Sequence, residues 1–159
     1  MNLAERQENQ LLVEKIDSLL AAFESVGLRC PFRQEAFVIM PDHLHSIWTL
    51  PPDDTDFSLR WSLIKGQFSR GIAKSERISQ SRTKRGERGI WQRRFWEHLI
   101  RDDEDFNRHV DYIHWNPVKH GWVSRVTDWP HSSFHDYVRR GLCPEAWGDQ
   151  EPAMIDAGE

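Results

Sequence analysis

The alternation of apolar and polar residues in the first third of the chain predicts a β-hairpin. Arg33–Met40 and His43–Leu50 both alternate with the period of two that is typical of strands, and a Pro-Asp turn separates them. In the second strand, His43 and His45 share a face because they are two residues apart. The pattern therefore predicts two imidazoles on one side of a sheet.

Apolar residues at helical spacing predict four helices around this hairpin. Gly27 is a suitable C′ residue for the first helix, and Asp56 or Thr55 can cap the second. Acidic residues open the third helix, and Pro117 is expected to end it nearby. The predicted helices are residues 8–26, Phe57–Lys74, residues 102 to about 115, and Trp129–Arg140.

Three segments lack a sustained helical pattern. Ile90–Ile100 is both aromatic and basic, and its second half is predicted to form a third strand. Ser75–Gly89 is rich in Ser, Arg, Lys and Gly and is predicted to be a mobile loop. Residues 1–145 are expected to form one domain, and residues 146–159 to form a disordered tail.

Charge is distributed unevenly along the chain. The net charge is −4, yet residues 60–94 hold eleven Lys and Arg against two acids. A segregated basic segment suits a surface that binds a polyanion, although a solvated helix face and loop give the same pattern. We find no membrane-length apolar run and no signal-peptide pattern, and two distant cysteines fit a reducing compartment. We therefore expect a cytoplasmic protein.

Tyr112 and Asn116 add candidate chemistry to the two histidines. A His-x-His pair on a strand, about 6.5–7 Å apart at Cα, can reach one metal ion, although such a pair alone is also typical of half-exposed strand positions. Tyrosine, with a pKa of about 10, becomes a useful nucleophile toward a phosphate that a metal polarises. Tyr112 lies one helical turn before Asn116, which offers an oxygen ligand. Tyr137, the other tyrosine, has no comparable neighbour and favours a packing role.

Four motifs, in this order and spacing, resemble the REP-associated tyrosine transposases, a branch of the single-tyrosine HUH transposases. The resemblance spans roughly Glu35 to Arg140. The first and third motifs together make it specific, whereas His-x-His alone is weak. The motifs are Met40–His45, Trp91–His98, Asp111–Gly121 and Trp129–Phe134.

The resemblance implies an α+β fold, a ferredoxin-like sandwich with an antiparallel sheet and helices on one face. It also implies that His43 and His45 hold Mg²⁺ or Mn²⁺, that Tyr112 is the nucleophile, and that Asn116 stands where relatives carry a third ligand. His109 and His114 are expected to be structural or DNA-facing. Relatives usually begin with a strand before the first long helix, and this chain starts almost in the helix. We therefore expect the first strand to be missing and the chain to be less stable than an extended form.

The implied substrate is single-stranded DNA beside a hairpin such as a REP element. Cleavage would leave a 5′-phosphotyrosine link and a free 3′-OH. The alternatives are a hairpin-binding remnant that no longer cuts and a hydrolase of small phosphate esters. We expect a nucleoid-associated monomer, with dimerisation through an exposed sheet edge as the alternative. The expected DNA contacts are Lys65, Arg70, Trp91, Arg93, Arg94 and Trp96.

Overall fold

The computed structural model describes residues 1–74, 76 and 78–148. These residues form an α+β protein with a two-stranded antiparallel sheet, which confirms the predicted class. None of the helices in the described part of the chain is long and apolar enough to cross a membrane. The elements are α1 (Leu11–Glu14), α2 (Ile16–Arg29), β1 (Arg33–Ile39), β2 (Leu44–Thr49), α3 (Phe57–Arg70), α4 (Gln80–Lys84), α5 (Asp103–Lys119), a 3-10 turn (Val126–Asp128) and α6 (Phe134–Arg139).

The first of two compact units contains residues 1–33, 41–43 and 49–95. Its helices α2 and α3 pack together, with the rings of Phe23 and Trp61 in an edge contact at 5.7 Å. Arg60, which is only 2% exposed, binds Asp54 at 2.6 Å and donates to the carbonyl oxygen of Pro31 at 2.8 Å. The guanidinium is buried, so its charge must be satisfied by hydrogen bonds within the protein. These bonds join the start of α3 to the segment that follows α2.

The N-terminal residues pair with two other segments of this first unit. The amide of Leu3 donates to the carbonyl of Asp42, and the amide of Ala4 donates to the carbonyl of Ile90, both at 2.8 Å. Leu3 is fully buried and bridges Trp91 in antiparallel fashion. Residues 2–4 therefore supply strand-like pairing beside the His-x-His motif, where we expected a strand to be missing.

The second unit contains residues 34–40, 44–48 and the described part of 96–159. Residues 131–133 extend its sheet, because the amide of Ile39 donates to the carbonyl of His131 and the amide of Ser133 donates to the carbonyl of Phe37, both at 2.9 Å. Val38 and Phe134 are fully buried. Ring contacts join α5 to the other elements of this unit, because His114 meets Phe134 of α6 at 5.5 Å and Tyr112 meets His45 of β2 at 5.3 Å.

The predicted hairpin and the Asp56 cap are confirmed. The strands begin and end within two residues of the predicted bounds, and the Asp56 carboxylate accepts from the amide of Leu59 at 2.9 Å. The first helix differs from its prediction. It breaks at Lys15, and it continues through Gly27 to Arg29. The helix ends there because the next residue precedes a proline, which disfavours helical backbone.

Two further helix predictions are corrected. α5 continues through Pro117 to Lys119, and the chain loses one helical hydrogen bond there because proline has no N–H. The helix predicted over Trp129–Arg140 forms only as α6, from Phe134 to Arg139. Residues 131–133 instead pair with β1, through the bridge between Val38 and Ser132 and the hydrogen bonds on either side of it.

The predicted third strand does not form. Residues 90–100, all of which are described, contribute only the single bridge between Trp91 and Leu3. The predicted loop Ser75–Gly89 contains α4, whose first turn is capped by Ser79. Ser75 and Arg77, and residues 149–159 of the predicted tail, lie outside the described residues.

Candidate active site

Tyr112 lies on α5 within the second unit and is 4% exposed. Its ring meets the ring of His45 in a perpendicular edge contact, with 5.3 Å between centroids. His45 is held by β2, so the strand–helix packing of this unit brings the second histidine of His-x-His to the predicted nucleophile. The structure therefore places the predicted nucleophile beside one of the two predicted metal ligands.

Lys119 lies two helical turns after Tyr112 on the same face of α5. Its Nζ donates to the Tyr112 hydroxyl at 3.2 Å and stands 4.7 Å above the centre of the ring. A cation beside a phenol favours the phenolate, which is the nucleophilic form of tyrosine. Lys119 was not among the predicted site residues, although its position seven residues after Tyr112 indicates a shared helix face.

His43 belongs to the first unit, is 1% exposed, and is oriented by its neighbour Asp42. The Nδ1–H of the ring donates to Oδ1 of Asp42 at 2.6 Å, and the Arg6 guanidinium binds the other carboxylate oxygen at 2.6 Å. Burial opposes ionisation of Asp42, yet hydrogen bonds from His43 and Arg6 hold the pKa of the carboxyl below its ordinary value. The proton on Nδ1 leaves Nε2 as the basic nitrogen, which is the tautomer of a metal-binding histidine.

Asn116 is fully buried on α5, one turn after Tyr112, so the structure keeps the spacing that the sequence predicted. Tyr137 donates its hydroxyl to the backbone carbonyl of Glu35 at 3.1 Å, and burial raises the pKa of its phenol. His114 is buried and binds the Ser133 hydroxyl at 3.0 Å. These contacts fit the packing role expected of Tyr137 and the structural alternative for His114.

Two of the expected DNA contacts are partly or fully withdrawn from solvent. Lys65 donates to the carbonyl of Gln92 at 2.9 Å, and burial, together with the charge of Arg82, lowers its pKa. Trp91 is 6% exposed, and its indole N–H donates to the Ser69 hydroxyl at 3.1 Å. The burial of Trp91 fits a core role.

The other expected DNA contacts are at the surface. Arg70 and Arg94 are exposed, and Trp96 is 46% exposed. Arg93 is also exposed and pairs with Glu87 at 2.7 Å. Arg70, Arg94 and Trp96 are therefore open to solvent. The ion pair of Arg93 is weak, because it lies at the surface.

A second group of metal-ligating side chains lies in the second unit. His98, Asp105 and His109 bring one ligand atom each to within 4.8 Å of one another. From the sequence we expected a structural or DNA-facing role for His109 and predicted no site role for His98 or Asp105. The signal was an acid and a histidine four residues apart on a helix, which places both on one face.

The chain is similar over its full length to proteins of known family. It is 47% identical over 159 residues to the REP-associated tyrosine transposase of Escherichia coli K12, covering all of this chain and 87% of that protein. It is 46% identical over 145 residues to a Haemophilus influenzae protein that carries the same name provisionally, covering 91% of this chain and 82% of that protein. No protein-family model matches the chain.

The fold is also that of a solved structure of this kind. A REP-associated tyrosine transposase bound to a REP hairpin superposes with a TM-score of 0.83 at 46% identity, over 99% of this chain and 87% of that one. Identity of this level over nearly the whole length establishes common descent, and the fold agrees. The chain therefore belongs to the family of REP-associated tyrosine transposases.

Proposed function

We propose that the chain binds REP-like hairpin DNA and cleaves the adjoining single strand by attack of Tyr112. The observation that carries the proposal is the contact of Tyr112 with His45 on one side and with Lys119 on the other. Membership of a transposase family supports DNA as the substrate, and the solved relative is described as bound to a REP hairpin. We further propose that the protein acts as a monomer in the cytoplasm, close to the nucleoid.

We propose that His43, His45 and Asn116 hold a divalent cation, Mg²⁺ or Mn²⁺. The donor chemistry fits, because the Asp42 carboxylate accepts a hydrogen bond from the Nδ1–H of His43 and leaves Nε2 as the basic nitrogen, as metal-binding histidines require. An amide oxygen from Asn116 would suit a hard cation. When bound, the cation would polarise the scissile phosphate and lower the cost of the charge that develops on it.

The residues of the chain account for the remaining steps. The hydroxyl of Tyr112 loses its proton to solvent, and Lys119 stabilises the phenolate that results. The phenolate oxygen attacks the phosphorus and forms a new bond to it, while the bond from the phosphorus to the 3′ oxygen breaks. The 3′ oxygen takes up a proton from solvent and leaves as a 3′-OH, while the 5′ phosphate stays on Tyr112. The ester conserves the bond energy, so the reverse reaction can rejoin the strand.

We propose that the basic surface holds the DNA for this attack. Exposed Arg70, Arg93 and Arg94 suit the phosphates, and exposed Trp96 suits an unpaired base. Lys65 and Trp91 complete the expected set, although their burial gives them less surface to offer. Contacts of this kind predict hairpin binding that weakens steeply as salt rises.

A cleavage assay with both tyrosine variants tests the proposal. The chain is incubated with Mn²⁺ and a labelled strand that carries a REP-type hairpin, beside Tyr112→Phe and Tyr137→Phe. The chain has two tyrosines, so Tyr137→Phe is a matched control. We expect a covalent adduct with the parent and with Tyr137→Phe and none with Tyr112→Phe. A salt-sensitive shift without any adduct would instead support the hairpin-binding remnant, and an adduct with Tyr112→Phe would exclude Tyr112 as the nucleophile.

A further inference from the structure

The cluster of His98, Asp105 and His109 lies outside the proposed cleavage site and has no role in that chemistry. The Nε2 of His98 is 2.8 Å from one carboxylate oxygen of Asp105. The Nδ1 of His109 is 3.2 Å from the other carboxylate oxygen and 2.8 Å from the backbone carbonyl oxygen of Asp105. Asp105 and His109 are one turn apart on α5, and His98 comes from the segment before that helix. Two imidazoles and one carboxylate form the donor set of many three-ligand transition-metal sites.

The electrostatics of the cluster favour a cation. The side chain of Asp105 is 3% exposed, and hydrogen bonds from His98 and from the amide of Arg101 keep the pKa of this carboxyl far below its ordinary value. The first turn of α5 adds Asp103 and Glu104 to the local charge. Arg101 is the cation in contact with Asp105 that the structure records, at 3.4 Å, and its own side chain is 68% exposed. A metal ion at this position would be attracted by the acidic side chains, and Arg101 is the positive charge that it would have to displace.

The surroundings also suit a site that is closed on one side. The ring of Trp96 lies nearly parallel to both imidazoles, 5.7 Å from His98 and 6.0 Å from His109. The side chains of His98 and His109 remain 26% and 14% exposed, so an ion could enter from solvent. An apolar wall beside half-buried ligands strengthens metal binding, because it lowers the local dielectric constant.

We propose that His98, Asp105 and His109 form a binding site for a divalent transition metal of the Zn²⁺ class, separate from the proposed active-site cation. The ion would replace the protons that the two imidazoles now share with Asp105. Binding should therefore weaken as the pH falls. By joining the segment before α5 to its first two turns, the ion should also raise the thermal midpoint, since it binds the folded chain.

Zinc stoichiometry in two double variants tests this site separately from the proposed cleavage site. Each protein is dialysed against Zn²⁺, and the bound metal is measured by elemental analysis. We expect His43→Ala/His45→Ala to retain the one equivalent of zinc that binds at the cluster. We expect His98→Asn/His109→Asn to lose that equivalent. Equal zinc content and affinity in the parent and His98→Asn/His109→Asn would overturn the proposal, leaving the cluster as a hydrogen-bonded structural group. Failure of DNA cleavage alone would not bear on this site.

Trp96 provides a second readout that does not depend on the His98 and His109 variants folding. In the His43→Ala/His45→Ala background, Co²⁺ should quench part of the tryptophan fluorescence saturably, and Zn²⁺ should compete. Trp96→Phe in the same background is the control, because the chain has eight tryptophans and the quenched part should be missing without Trp96. An absence of saturable quenching, or the same quenching with Trp96→Phe, would also overturn the proposal.

Discussion

Replacing the buried imidazole of His114 with a side chain that does not titrate should make the free energy of unfolding less sensitive to weak acid. His114 is 1% exposed and donates from Nε2 to the Ser133 hydroxyl at 3.0 Å, which in turn donates to the carbonyl of Phe37 at 3.1 Å. The rings of Phe134 and Tyr137 stand edge-on to the imidazole. Protonation would place a cation among these rings, and among the described residues no carboxylate is recorded in contact with it.

The magnitude follows from the pKa of His114. Burial, with a smaller effect from the charge of His135, lowers this pKa from 6.5 to about 4. Because the folded pKa lies below the unfolded pKa, the unfolded chain binds the proton first, and stability falls as the pH drops from 6.5 toward 4. The linkage relation gives a loss of about 2 kcal/mol at pH 5 and about 3 kcal/mol at pH 4 from this group alone.

The assay is urea unfolding of the parent, His114→Gln and His120→Gln between pH 7.5 and 4.5. The glutamine amide can still donate to Ser133 but does not titrate, so His114→Gln should start less stable and lose about 2 kcal/mol less than the parent between pH 7.5 and 5. His120 is exposed, and its variant should follow the parent. Parallel curves for the parent and His114→Gln would refute the assignment of a neutral buried imidazole.

Three further perturbations test other contacts. Lys119→Met should slow adduct formation and move the pH profile of the rate to higher pH, because the phenolate of Tyr112 loses its neighbouring cation. Lys119→Arg should restore part of the rate. Identical pH profiles for the parent and Lys119→Met would contradict the role of Lys119. Asp42→Asn should weaken binding of Mn²⁺ about 10- to 100-fold in calorimetry, because His43 loses the carboxylate that fixes its tautomer. Phe68→Ala should lower the free energy of unfolding by about 3–5 kcal/mol in urea, since the ring is 1% exposed; a loss below about 1 kcal/mol would contradict a packed core there.

The parts of the fold that were predictable are those fixed by neighbours in sequence. The hairpin depends on alternation and a Pro-Asp turn, and the start of α3 depends on Asp56 reaching an amide three residues on. Both features depend on residues that are close in sequence, so the local pattern predicts them. The pairing of Ile90–Ile100 depends on residues that are distant in sequence, because Leu3 bridges Trp91 while Asn2 bridges His43. No local pattern near Ile90–Ile100 could have shown which segment would pair there.

The candidate site divides in the same way. Motif spacing pointed to His45 and Tyr112, and the structure brings their rings together. The seven-residue spacing of Tyr112 and Lys119 indicates a shared helix face, but it could not show that Lys119 contacts the Tyr112 hydroxyl, because a flexible lysine has many rotamers and only packing shows which one is used. Nor could motif spacing point to His98, whose segment has no regular structure to set its direction. Sequence reasoning therefore failed to identify site residues with long side chains or on irregular backbone.

The placement of Asp105, Tyr112 and Lys119 on one helix limits how the length of that helix can change. They are spaced seven residues apart, close to two full turns, so all three lie near one line along α5. Inserting or deleting a single residue between Asp105 and Tyr112 would rotate the two halves of the helix by about 100° relative to each other. Tyr112 would then face away from His45, or the first turn would face away from His98. Any change in the length of α5 between Asp105 and Tyr112 should therefore separate one of these two contacts, so changes in length should be confined to loops.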